Sequence, residues 1–295
     1  TYMYLTLNSL NNRKMSKFSY FLTLFIFLIL IGFRYQIGVD WDLYADIMDF
    51  AKGTSFVENF FKIEPSYRVI NWIGAQFNQI YIINSISALI FLYGLIFYSK
   101  RQTYPWLALI ISFPILILTV GLGYTRQSCA LGVAFFAYTS FEEGNYYKSI
   151  FYILLSSTFH VSALFLLTLL TPEIFKNLRK TKFIIVLISL FSLFFIFFYK
   201  NAESVIVEYF RFYILNQYNV FEYYNSVGAT FRLLPSIISA LILLLNKNKI
   251  YPLLSKDGLK IYERMSYLVL ILIFIVIIAP EYSTAIDRFG IFLYP

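Results

Sequence analysis

Long apolar runs limit what this chain can fold into more than any other feature. Residues 17–33 and 261–279 carry almost no polar interruption, and each reaches the roughly 17–20 residues that a helix needs to cross hydrocarbon. A soluble helix of that length places polar residues at helical period on its outer face, and these runs do not. Charged residues make up 14% of the 295 positions, against about 25% in soluble domains. The expected fold is all-α and polytopic, one transmembrane domain over residues 1–295. Spans are expected near 18–33, 80–98, 105–121, 124–141, 182–199, 230–246 and 265–280, with stubs at 1–8 and 289–295. The chain opens on Thr1 and closes inside a new apolar segment, so it reads as a fragment.

The net charge of +8 is unevenly placed. Arg13, Lys14 and Lys17, then Lys100 and Arg101, then Lys148, then Lys176, Arg179, Lys180 and Lys182, then Lys247, Lys249, Lys256, Lys260 and Arg264 fall on one side of the expected spans. That side is cytoplasmic by the positive-inside rule. Contact with anionic membrane lipid accounts for these clusters without nucleic acid. One cysteine, Cys129, and one histidine, His160, exclude an internal disulfide and the usual zinc patterns. The basic stretch before the first span has no small-residue cleavage site after it, so it is not read as a removable signal.

Residues 149–171 conflict with this alternation. Basic residues on both flanks belong in the cytoplasm, yet the segment is about one span long. A half-depth re-entrant hairpin, with short helices near 149–159 and 161–171, resolves the conflict and places Thr158, Phe159 and His160 at its apex. The alternative is an ordinary span with a local exception to the charge rule. Re-entrant backbone is tolerated where protein buries it or a cavity adjoins it. His160 there either satisfies hairpin backbone or forms the floor of an outward-facing site.

The longest outer loop, residues 34–79, is expected to hold amphipathic helices lying on the membrane surface. A helix starting near Asp40 puts Leu43, Tyr44, Ile47 and Ala51 on Asp40's side and Asp42, Asp46 and Asp49 opposite. Asp40 is then either a helix N-cap or an acid aimed at a site. Glu64 and Arg68 stand i,i+4 after a proline helix start, the spacing of a simple surface ion pair. Arg34, Arg68, Arg126, Arg211, Arg232 and Arg288 all fall on the outer side, singly as interfacial anchors or together as a functional set. Arginine's planar fork suits phosphate and pyrophosphate. Tyr35, Trp41, Tyr44 and Tyr67 are either interfacial anchors or platforms for sugar rings. No nucleotide-binding loop, nucleophile elbow or metal motif is present.

The ordered set Arg34-Tyr35-x-x-Gly38-x-Asp40-x-x-x-Tyr44, Glu64-Pro65-x-Tyr67, Arg126-Gln127, Phe159-His160-x-Ser162-Ala163 and Asp287-Arg288 resembles the EpsG-like family. That family is similar to the Wzy-type O-antigen and capsule polymerases and to the GT-C membrane glycosyltransferases. The resemblance implies a GT-C-like, multi-pass enzyme of the bacterial cytoplasmic (inner) membrane, without a cofactor and with metal dependence open. It would polymerise undecaprenyl-pyrophosphate-linked repeat units of an O-antigen, capsule or exopolysaccharide at the outer face. A flippase and a chain-length regulator are the implied partners. Asp40 and His160 are the implied catalytic residues, and Arg34, Tyr44, Glu64, Arg68, Arg126, Gln127, Arg232 and Arg288 the implied substrate and pyrophosphate contacts. The alternatives are another GT-C-type glycosyltransferase or ligase with a polyprenyl-linked donor, or a transporter of lipid-linked sugars.

Overall fold

The computed structural model describes residues 16–38, 40–171, 228–278 and 283–294. The expected span at 182–199, the stub at 1–8, Arg211 and the basic cluster from Lys176 to Lys182 lie outside the described residues. Among the described residues every regular element is helical. These are α1 (Lys17–Gly32), α2 (Trp41–Lys52), α3 (Phe56–Phe60), α4 (Pro65–Gln76), α5 (Ile80–Lys100), α6 (Pro105–Ser112), α7 (Thr125–Glu142), α8 (Tyr146–Ser157), α9 (Ala229–Leu245), α10 (Lys256–Ile278) and α11 (Ser283–Gly290). Helix α6 continues as a π-helix, Phe113–Gly121, and a 3-10 helix, Val161–Leu170, follows α8.

Among the described residues two helices, α5 and α10, are long and apolar enough to cross a bilayer. Helices α1 and α9 are shorter but equally apolar. On α1 the inner face is Thr23, Phe27 and Ile31, while Phe18, Phe21, Phe25 and Ile29 are exposed. On α10 Met265, Val269 and Leu272 are buried, while Tyr267, Ile271, Phe274 and Ile278 are exposed. Helices that are apolar on both faces fit lipid, because water does not tolerate contiguous apolar surface of that extent.

The chain divides into two compact units, residues 1–139 with 152–163, and residues 140–151 with 164–295. In the first, α1 packs along α5, and the loop helices α2, α3 and α4 pack together, with α4 also against α5. Their shared core is Tyr44, Ile47, Met48 and Ala51 of α2, Tyr67, Ile70 and Ala75 of α4, Ile83 of α5 and Cys129 of α7. Of the face shared with Asp40, Tyr44, Ile47 and Ala51 are buried while Leu43 is 43% exposed, and Met48 is buried as well. Asp42, Asp46 and Asp49 are exposed as expected. In the second unit α9 packs on α10 and α11.

Proline sets two local irregularities. Pro114 removes a ladder donor and crowds the turn before it, and the helix widens there to π spacing, with the Thr119 hydroxyl donating to the Pro114 carbonyl at 3.2 Å. Residues 158–160 form a bend between α8 and the 3-10 helix. Its second arm is 3-10 rather than α, and its ten residues are long for that conformation.

Helices α5 and α7 approach through glycine. A Cβ built on Gly94 would sit 1.9 Å from the Gly132 carbonyl oxygen, and one on Gly132 would sit 2.6 Å from the Ile90 carbonyl oxygen. Backbones this close accept only small residues. Gly94→Ala and Gly132→Ala are each expected to cut the yield of folded, monodisperse protein in detergent. Gly123→Ala, whose Cβ meets nothing within 4 Å, is the matched control and keeps wild-type yield in size-exclusion chromatography.

Candidate functional site

The site begins with a backbone constraint. A residue before proline is driven out of the right-handed helical region, and Glu64, before Pro65, takes the left-handed one with φ 63° and ψ 56°. That conformation costs an L-residue on the order of 1–2 kcal/mol, so the surroundings must hold it. Pro65 then opens α4 as its first residue, where the missing N–H loses nothing.

The Glu64 carboxylate is 3% exposed and meets two remote segments. Oε2 accepts from Arg126 Nη1 at 3.0 Å, from the first turn of α7. Oε1 lies 3.4 Å from the Val161 N–H and 3.8 Å from His160 Nδ1. Burial on its own raises a carboxyl pKa. Here the Arg126 charge, the charge His160 brings when protonated, and the Arg126 and Val161 hydrogen bonds outweigh it, and Glu64 stays below the ordinary carboxylate range.

His160 is oriented by its own turn. Nδ1 accepts the Ser162 N–H at 3.1 Å and lies 2.7 Å from Ser162 Oγ. A backbone amide only donates, so the neutral ring carries its proton on Nε2. The Arg126 guanidinium also stands 5.8 Å from the centroid of the Tyr44 ring, within cation–π range. The Tyr44 hydroxyl donates to Asp40 Oδ2 at 3.4 Å. Asp40 occupies the N-cap position of α2 without making a side-chain cap bond, so its carboxylate is not consumed by the helix end. Asp40, Tyr44, Glu64, Arg126 and His160 are thereby brought into one connected set, all within the first unit.

Other expected residues take different places. Arg34 is 3% exposed, and its guanidinium donates to the Gly121 carbonyl at 2.9 Å, to the Leu122 carbonyl, to Thr125 Oγ1 and, at 3.5 Å, to Asn84 Oδ1. It ties the segment between α1 and α2 to the end of the π-helix. Gly38, with φ 106°, lies over Gly123, whose Cα and carbonyl oxygen would each stand 2.9 Å from an added Cβ. Gln127 is buried, and neither end of its amide finds a partner among the described residues. Arg68 lies one turn into α4, partly exposed, its N–H bonded to the Glu64 carbonyl at 3.0 Å. Tyr44 and Tyr67 are buried against each other, ring centroids 5.9 Å apart, which removes them as sugar platforms. Tyr35, 61% exposed, meets Trp41 edge-on at 5.7 Å and keeps a ring face open.

In the second unit Arg232 forks onto Asp287, Nε to Oδ1 at 2.8 Å and Nη2 to Oδ2 at 2.7 Å, and the Tyr294 hydroxyl donates to the Arg232 carbonyl. Arg288 follows on α11. The sequence offered Asp287 only as the neighbour of Arg288; its pairing with Arg232 carries no local signal. The same holds for Asn84, Thr125 and Val161, which act through backbone or through contacts far apart in the chain. Ser162 stood in the Phe159–Ala163 string without a role.

A family model described as EpsG family matches residues 17–295. No curated protein and no solved structure matches the chain.

Removing one member of a buried ion pair strands the other, typically at about 3–5 kcal/mol. Glu64→Gln and Arg126→Gln are each expected to lower the melting temperature of purified protein in detergent, and the double variant to fall short of their sum. A depressed folded pKa contributes stability that is complete above the unfolded value and is lost as pH falls through the folded one. The wild-type melting temperature should therefore drop below about pH 4, the ordinary carboxylate range, and Glu64→Gln should flatten that limb.

Proposed function

Because the chain belongs to the EpsG family, we propose that it is a membrane glycosyltransferase that polymerises undecaprenyl-pyrophosphate-linked oligosaccharide repeat units at the outer face of the cytoplasmic membrane. The observation that carries this reading is the connected set running from Asp40 through Tyr44 and Arg126 to Glu64 and His160. It sets a carboxylate that caps no helix and a cationic guanidinium against one tyrosine.

The proposed reaction forms one bond and breaks one. A sugar hydroxyl of one lipid-linked repeat adds to the anomeric carbon of the growing glycan, and the bond from that carbon to pyrophosphate breaks. The hydroxyl proton passes to Asp40, and the electron pair leaves on the undecaprenyl pyrophosphate. General-base assistance of this kind contributes about 10²–10⁴-fold. Positive charge placed in advance where the leaving group develops charge is usually the larger effect, and Arg126 supplies it in the first unit. Gln127, whose amide has no partner among the described residues, and the exposed Tyr35 beside Trp41 offer a hydrogen-bonding group and a ring face to sugars. His160, with Nε2 protonated, is a neutral donor to an acceptor oxygen.

Arg34 enters this mechanism through its field and through the loop it anchors, since carbonyls and side-chain oxygens occupy most of its donors. Arg232 and Arg288 belong to the proposal as further pyrophosphate contacts, Arg232 with Asp287 holding one edge of its fork. The GT-C-like architecture, the half-depth placement of residues 149–171, and a flippase and a chain-length regulator as partners are parts of the same proposal. Pyrophosphate is itself a good leaving group, so the reaction draws on no nucleotide.

An Asp40→Asn strain is expected to carry single-repeat glycans on its surface with export intact, read on a gel of surface polysaccharide. Unaltered long chains would remove Asp40 as the base. Repeats trapped inside the cell would point to transport rather than polymerisation.

A further inference from the structure

The two halves of the Glu64–His160 contact are joined a second time, two residues away on each side. The Ser66 N–H donates to the Thr158 carbonyl at 3.1 Å, and Ser66 Oγ lies 2.7 Å from Thr158 Oγ1. Thr158 Oγ1 in turn donates to the Leu155 carbonyl at 2.6 Å. A hydroxyl has one proton, so Thr158 gives its proton to Leu155 and Ser66 must be the donor to Thr158. The direction of the whole chain is fixed. A third tie, Ser156 Oγ to the Ala130 carbonyl at 2.6 Å, holds the same bend on α7, the helix that carries Arg126.

Glu64 and His160 come from segments 96 positions apart by number, and their own approach of 3.8 Å is too long for a hydrogen bond. Something else must set that spacing. We infer that Ser66 and Thr158 are positioning residues, a latch between the N-terminus of α4 and the bend before the 3-10 helix that keeps Glu64, Arg126 and His160 in register for the proposed transfer. The inference rests on the polymerase reading for its consequence in catalysis, and on geometry alone for the latch. Neither residue reaches the reacting atoms. Both act by fixing side chains two positions along, which is where small displacements cost rate: about 1 Å of misplacement in a reacting constellation can cost about 10²-fold.

The test uses full-length protein in membranes with a lipid-linked repeat unit as substrate. Thr158→Val keeps the side-chain shape and loses the hydroxyl; Thr158→Ser restores the hydroxyl; Ser66→Ala removes the other partner. Loss of one such bond corresponds to roughly a 3- to 10-fold effect. Thr158→Val and Ser66→Ala are expected to lower kcat by about that factor with KM within about 2-fold, and Thr158→Ser to keep the wild-type kcat. A Ser66→Cys/Thr158→Cys pair is expected to cross-link on mild oxidation, whatever its activity. The latch is overturned if Thr158→Val keeps the wild-type kcat, if Thr158→Ser falls as far as Thr158→Val, or if the cysteine pair does not cross-link. Where Thr158→Val fails to accumulate, Ser66→Ala and the cross-link decide. A wild-type protein that makes no polymer overturns the polymerase reading instead, and the cross-link then still reports on the latch.

Discussion

The buried Glu64 carboxylate is the group on which the packing around the start of α4 depends. Two segments distant in sequence meet on its two oxygens: α7 through Arg126, and the bend after α8 through Val161 and His160. Taking a carboxylate out of water costs several kcal/mol unless charge and donors replace the lost hydration. The positive partner has to come from elsewhere in the fold, because burial turns Glu64 away from solvent. The left-handed backbone at Glu64 follows from the same requirement. Pro65 excludes the helical conformation, and the left-handed alternative aims the carboxylate inward at the point where α4 starts.

Arg34 shows the opposite solution to a buried charge. Its hydrogen-bond partners are carbonyls and neutral side-chain oxygens. The carbonyls of Gly121 and Leu122 end the π-helix, and the last carbonyls of a helix carry partial negative charge with no partner in the helix itself. The guanidinium satisfies them and is neutralised in part by them. Together with Gly38 lying over Gly123, this fixes the path of the chain from α1 into α2, and hence the place of Asp40. Two residues of the Arg34–Tyr44 string therefore act on loop geometry, and through it on the acid proposed as the base.

The helices were legible because an apolar run long enough to span lipid has few other solutions, and α1, α5, α7, α9 and α10 fall where the runs lie. Which side chains face inward was harder to read. Leu43 shares a helical face with Tyr44, yet Tyr44 packs on Tyr67 while Leu43 is exposed. In a membrane protein an apolar residue has two favourable environments, core and lipid, so hydrophobicity fixes helical phase less firmly than it does in water. Ion pairs were harder still. The i,i+4 spacing offers Arg68 as a local partner for Glu64 and gives no sign of Arg126, 62 positions on, whose Nη1 donates to Glu64 Oε2. Local spacing reports local neighbours, and docking of α4 on α7 has no signature of that kind.

That pairing bears on how a proposed anion site can be both stable and available. Arg126 is held by Glu64 on one side and lies against the Tyr44 ring on the other, so it is fixed before any substrate arrives. A pyrophosphate approaching from the Tyr44 side would draw on part of its guanidinium. Glu64 would then lean more on the Val161 N–H, which already stands beside its other oxygen. That second donor lets Arg126 share its charge without leaving a buried carboxylate unsupported. A cation paired to a single acid, with nothing behind that acid, would have to choose between holding the fold and meeting the substrate.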